Sequence, residues 1–376
     1  MKNPFVFGEA VSGAAFWNRE AEMKELMQDL RGGQNVIVFS ARRYGKTSLI
    51  KAVLRKLAEE GLITIYMDLY PATSKEAFVR LYAKAVAESL GKPSTKIFSS
   101  IRRLLPRFLP KLVVDSGGKV ELTFDFDGSR NFKAGFHELL ESVHKRVTRE
   151  KKNAVVVFDE FQEVTSYGDD EIEREMRSSF QHHQNVAYVF LGSKKHLFNG
   201  IFNDVNRPFY RSGKHFPLER LPAGEIIKFV TERFKRGKII LEPDVAQLIA
   251  NESMGHPYYT QLLCHILWSG SSPNKHTTKE DVLSAIKTML NRESPSYQAI
   301  MDGLSPRMRH LAIALSKETT SSPYGETFLS KHKLGTASTV QRALGALLQK
   351  DVIDHISGQY IFQDPFFAQW LKRFSD

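Results

Sequence analysis

Cysteine is all but missing from this chain: Cys264 stands alone among 376 residues. A lone thiol excludes an internal disulfide, and its place in an apolar helical pattern suggests a small core residue. A reducing, cytoplasmic setting is the expectation. Long apolar runs are missing as well. No stretch reaches the roughly 20 residues that a bilayer-crossing helix needs, which argues against a membrane partner. The opening Met1-Lys-Asn-Pro-Phe-Val-Phe-Gly-Glu lacks the continuous apolar segment of a signal peptide. An acidic excess is also absent. The net charge is +11 and the pI about 9.5, which favours an anionic partner.

Hydrophobic content of 42% and charged content of 25% are globular values, and the length predicts two or three domains. The positive charge is uneven. Residues 96–152 hold 13 Lys/Arg against 7 Asp/Glu, residues 194–238 hold 11 against 4, and the tail from 295 holds 9 against 7. Basicity therefore belongs to the first part of the chain.

One stretch carries specific chemistry. Val36–Phe39 reads as a buried parallel strand, Ser40-Ala41-Arg42-Arg43-Tyr44-Gly45-Lys46-Thr47 as a loop, and the residues from Ser48 as a helix. Strand, loop and helix in that order form the context of a phosphate-binding loop. Backbone N–H groups of residues 40–48 would face the phosphates of ATP, aided by the helix dipole. Lys46 would reach the β- and γ-phosphates, and the Thr47 hydroxyl would ligate Mg²⁺. Ser40 replaces the first Gly of the pattern, so its φ must be negative.

A second strand, Ala154–Phe158, ends in Asp159-Glu160. Asp159, beside the phosphate loop, would order the Mg²⁺ shell, and Glu160 would take the proton of an attacking water. Histidines show no ligand spacing, so no metal beyond Mg²⁺ is expected. Val186–Gly192 reads as a further buried strand ending at Ser193 and Lys194, either of which could sense a γ-phosphate. Arg207 and Arg211 follow. Arg211 is a candidate arginine finger, with an ordinary surface arginine as the alternative.

The rest divides by pattern. Asn18 offers a cap for a helix beginning at Arg19. Residues 92–128 interrupt the αβ rhythm with a basic apolar segment and a hairpin about Ser116-Gly-Gly, an insertion that either meets a partner or serves as a lid or cover over the sheet edge. Residues 1–220 are expected to form the α/β domain, 221–293 a small helical lid, and 294–376 a winged helix with Ser305 capping its first helix. The winged helix is close to neutral. Its candidate reading helix offers Gln341, Arg342, Gln349 and Lys350, which suits protein docking better than base readout.

Taken together, Asn3-Pro-Phe-Val-Phe-Gly, Phe16-x-Asn-Arg-Glu, Ala41-Arg-Arg-Tyr-Gly-Lys-Thr-Ser-Leu, Phe158-Asp-Glu-Phe-Gln-Glu, Leu191-Gly-Ser, Pro208-Phe-Tyr-Arg and Gly255-His-Pro-Tyr-Tyr resemble the archaeal-type ATPases of the STAND and AAA+ group. The resemblance spans roughly residues 3–290. It implies that Val11, Phe16 and Arg19 pack round the adenine and that Pro257 contacts the nucleotide. It departs at Ala41, where the family usually has Pro, and in the 92–128 insertion. Relatives include initiator ATPases that encircle DNA, transposition regulators, and signalling switches that hold ADP when off. The expected fold is a parallel-sheet P-loop α/β core with a helical lid and a C-terminal winged helix. The expected function is a slowly hydrolysing ATP switch that forms an ATP-dependent homo-oligomer on or near DNA. Arg102, Arg103 and Arg107 are the candidate DNA contacts. The alternative is a nucleotide-gated scaffold that binds protein without nucleic acid. A small-molecule kinase fits poorly, having no need of a winged helix.

Overall fold

The computed structural model describes residues 2–8, 19–91, 95–114, 120–125, 128–193, 195–356 and 358–373. The chain divides into two compact units. One holds residues 19–42 and 46–218, and the other residues 1–18, 43–45 and 219–376. Each encloses its own apolar core.

The unit of residues 19–42 and 46–218 is built on a five-stranded parallel sheet. Its strands are β1 (Val36–Phe39), β2 (Ile63–Asp68), β5 (Ala154–Asp159), β6 (Val186–Gly192) and β7 (Lys214–Pro217), ordered β2-β5-β6-β1-β7. β5 and β6 are buried along their whole length, as continuous apolar strands covered on both faces should be. Helices α1 (Glu20–Arg31), α2 (Lys46–Glu59), α3 (Lys75–Glu88), α5 (Gly128–Glu150), α6 (Glu171–Phe180) and α7 (Lys195–Phe202) connect the strands. Ser74 caps α3 by accepting from the Ala77 N–H. Asn18 lies outside the described residues. Arg19, in the left-handed region at φ 78°, precedes α1 without a side-chain cap, so the helix starts one residue later than expected.

The 92–128 insertion contains α4 (Thr95–Leu104) and the antiparallel pair β3 (Leu109–Val114) and β4 (Val120–Asp125). Ile101, Leu104, Leu105, Phe108, Leu122 and Phe124 join the core beneath the sheet. The insertion therefore covers the α/β core as well as presenting basic residues. Gly192 ends β6 because a Cβ there would lie 2.1 Å from the Phe198 ring.

The other unit is mainly helical. It includes α8 (Ala223–Arg236), α9 (Val245–Ser253), α10 (Pro257–Ser269), α11 (Lys279–Asp302), α12 (Pro306–Lys317), α13 (Glu326–His332), α14 (Ala337–Gln349) and α15 (Pro365–Arg373). The short strands β8 (Ile240–Leu241) and β9 (His276–Thr277) pair in parallel, and β10 (Ile353–Ile356) and β11 (Gln359–Phe362) form an antiparallel wing. α11 runs through the boundary expected at residues 293–294 and continues through Pro295. Proline costs an interior helix about 3 kcal/mol. Burial of Met289, Leu290 and Tyr297 on either side, in one core shared with Phe366 and Trp370, offsets it.

Candidate active site

β1 ends at Phe39 and α2 begins at Lys46, so residues 40–45 form a tight loop at the carboxyl edge of the sheet. Positive φ falls on Arg43 (66°) and Gly45 (86°), while Ser40 stays outside that region, as its Cβ demands. The Ser40 hydroxyl donates to the Ala41 carbonyl at 3.2 Å. Lys46 is only 6% exposed. Its Nζ donates to the Ser40 carbonyl at 3.1 Å and the Ala41 carbonyl at 3.3 Å. Burial holds its pKa below the usual lysine value, against the attraction of Glu160 and Asp159. The ammonium therefore lies inside the loop, not in open solvent. Ser48 is buried on α2, and Arg42 is exposed.

The strand order separates β5 from β1 by β6. Asp159 is thus one strand further from the phosphate loop than the sequence suggested, yet the two meet. Thr47 Oγ1 donates to Asp159 Oδ2 at 2.8 Å. Tyr66 of β2 donates to the same oxygen at 2.7 Å, and the Glu160 N–H donates to Asp159 Oδ1 at 2.9 Å. Burial raises the Asp159 pKa, while the hydrogen bonds from Tyr66 and Thr47 pull it down. Glu160 itself has a left-handed backbone, φ 53°. Its Oε2 accepts from Ser193 Oγ at 2.7 Å and from the Gln162 amide. Ser193 directly follows the intervening strand, so the topology brings Thr47, Asp159, Glu160 and Ser193 into one hydrogen-bonded group. Tyr66 and Gln162 were not foreseen. Only the period-2 burial of β2, with Ile63, Ile65 and Met67 on the core side, could have flagged Tyr66.

Several expected residues lie elsewhere. Arg211 precedes β7, whose first residue pairs with Val36 at the start of β1. It is exposed, its N–H donates to the Phe202 carbonyl, and its guanidinium lies 5.2 Å from the Tyr210 ring. The phosphate loop leaves the other end of β1, four residues or roughly 13 Å away. The arginine is thus excluded from its own chain's phosphate loop. Arg207 pairs with the buried Glu173. Arg19 pairs with Glu22 at 2.6 Å. Val11, Phe16 and Lys194 lie outside the described residues. Arg102 and Arg103 are exposed, whereas Arg107 pairs with Glu138 at 3.2 Å.

Within the unit that includes residues 43–45, the Arg43 guanidinium lies 4.4 Å over the Tyr258 ring, and the Tyr44 ring stands 4.6 Å from His256. Burial, then Arg220 and Arg43, push His256 down to about 3, so it is neutral. Pro257 follows it as the first residue of α10.

Residues 16–263 match a family described as an ATPase domain predominantly from Archaea. The chain belongs to that archaeal ATPase family. Residues 295–373 of the ATPase match a second family, a probable winged helix domain. No curated protein matches the sequence. Among solved structures, the ATPase is similar to the Walker-type ATPase PABY2304 of Pyrococcus abyssi, at 15% identity and TM-score 0.65, covering 95% of this chain and 96% of that one. It is also similar to the ORC2 protein of Aeropyrum pernix in ADPNP–ADP complexes, at 13% identity and TM-score 0.58, over 94% and 93% of the two chains. The ADP form of ORC2 gives 12% identity and TM-score 0.51 over the same shares. At these identities the likeness shows the fold. Family membership makes ATP the substrate and ATP hydrolysis the reaction.

Proposed function

We propose that the ATPase is a slowly hydrolysing, ATP-dependent switch that assembles on or near DNA. The single observation that carries the switch reading is the engaged state of Glu160, whose Oε2 already accepts from Ser193 and Gln162. A general base is most effective with its oxygen free to take the water's proton. Two donors on one carboxylate oxygen keep basal turnover low until the group is rearranged.

In this mechanism the N–H groups of residues 40–48 and the Lys46 ammonium bind the phosphates. Thr47 and Asp159 fit a Mg²⁺ ion: both offer hard oxygens, and they meet at 2.8 Å. Bound there, the ion would neutralise charge on the β- and γ-phosphate oxygens. Glu160 orients the attacking water and accepts its proton. Ser193, on the Glu160 carboxylate, couples the state of the γ-phosphate to that base. Val11, Phe16, Arg19 and Pro257 are assigned to the adenine and lid side of the nucleotide. Arg211, excluded from its own chain's phosphate loop, is assigned to the site of a neighbouring copy, which makes full activity oligomer-dependent.

The DNA assignment rests on the +11 charge, on the exposed Arg102 and Arg103, and on the winged helix match. The test is ATP turnover across protein concentrations, with and without duplex DNA. Turnover that rises with concentration and with DNA supports the proposal. Turnover indifferent to DNA, with no duplex bound at about 150 mM salt, leaves the protein-binding scaffold instead.

A further inference from the structure

The geometry points to Tyr66 as a positioning residue for Asp159, and through it for the Mg²⁺-dependent part of ATP binding. The inference rests on the assignment of Thr47 and Asp159 made above.

Tyr66 lies on the edge strand β2, beside β5, in register with Val157. Alternation along β2 sends Ile63, Ile65 and Met67 into the core and leaves Tyr66 half-buried on the opposite face. Its hydroxyl donates to Asp159 Oδ2 at 2.7 Å. The Lys51 ammonium stands 4.9 Å over its ring. Lys51 is four residues beyond Thr47 on α2, so the two share a helix face. Tyr66 is thereby held by the same helix that carries Thr47.

The Asp159 carboxylate accepts on both oxygens. Glu160 N–H takes Oδ1, and Thr47 and Tyr66 take Oδ2. A carboxylate in a single fixed plane binds a hard cation without first losing rotational freedom. The Glu160 N–H comes from the adjacent backbone and the Thr47 hydroxyl is itself an assigned ligand. Of the three donors, Tyr66 is the one that holds Asp159 without being assigned a task on ATP or the ion. Removing its hydroxyl leaves Oδ2 with Thr47 alone and Oδ1 with the Glu160 N–H, a looser hold on the plane of the carboxylate.

The test compares Tyr66→Phe with wild type by calorimetric titration of a non-hydrolysable ATP analogue, in Mg²⁺ and in EDTA. The ratio of the two affinities isolates the Mg²⁺ increment. Tyr66→Phe is expected to shrink that increment about tenfold, the scale of one hydrogen bond to a charged group, while the EDTA affinity stays unchanged and the melting temperature falls by no more than a few degrees. Half-saturating Mg²⁺ for turnover should rise in parallel, with kcat recovering at high Mg²⁺. Lys51→Met, which keeps the hydroxyl bond but removes the cation over the ring, should give a smaller shift in the same direction. An increment in Tyr66→Phe equal to that of wild type overturns the inference. A wild type with no Mg²⁺ increment at all overturns instead the assignment of Thr47 and Asp159, and this inference with it.

Discussion

The Ser193 hydroxyl and the Glu160 carboxylate meet at 2.7 Å, each just beyond the end of one of two neighbouring strands, β6 and β5. The contact explains why a serine follows a fully buried strand. It also defines what a base substitution should do. Glu160→Gln keeps the shape and can still bond to Ser193, yet it cannot accept a proton from water. Hydrolysis should fall by about 10²–10⁴ with ATP affinity retained, read by phosphate release beside calorimetry. Turnover at the wild-type rate would move the base to another residue, with Glu163 the first to test.

Lys46→Ala should cost more than binding. The ammonium donates to the Ser40 and Ala41 carbonyls inside the loop, so its loss takes that donor from Ser40 and leaves Ala41 with the Ser40 hydroxyl. ATP affinity should drop by about a hundredfold, and the melting temperature should fall by a few degrees as well. Its burial is what ties the lysine to the stability of the fold as well as to the nucleotide. Unchanged nucleotide affinity would remove the phosphate-loop assignment.

Binding to duplex DNA, if driven by phosphate contacts, should weaken at least tenfold between about 50 and 200 mM salt. Replacing Arg102 and Arg103 together with Glu should weaken it further and reduce the salt slope by about two, with ATP affinity intact. Arg107 is better left in place, since a Glu there would face Glu138. Replacing Arg342 and Lys350 should matter less, given the near-neutral tail. A salt-independent anisotropy titration, or none at all, would sink the DNA assignment.

Glu173 supplies a pH signature. It is 1% exposed, and burial pushes its carboxyl up to about 7 although Arg207 pulls it down. The folded state therefore holds a proton that the unfolded chain releases near pH 4.5. For this group, stability is full below about pH 4.5 and is lost as pH rises to about 7. Glu173→Gln, neutral throughout, should gain on wild type across that window, by about 2–4 °C in melting temperature for each kcal/mol. Parallel melts for the two proteins would refute the shift.

Local order along the chain was enough to place the strand, loop and helix of the phosphate-binding pattern and the strand that ends in two acids. Phe39 before Ser40, Gly45 before Lys46-Thr47, and an apolar strand ending in Asp159-Glu160 each depend on near neighbours, which periodicity and turn chemistry report. The start of the winged helix was legible for the same reason, because Ser305-Pro306 marks its first helix locally. Only the tertiary structure decided which strands lie side by side. Insertion of β6 between β5 and β1 brings Ser193 to Glu160, and the edge position of β2 brings Tyr66 to Asp159 across 93 residues. It also decided that Arg211 stands at the amino end of β1, and that α11 runs through a proline which the sequence alone marks as a break. Strand order and burial are settled by contacts among residues far apart in the chain, where the core's gain outweighs a local preference of a few kcal/mol.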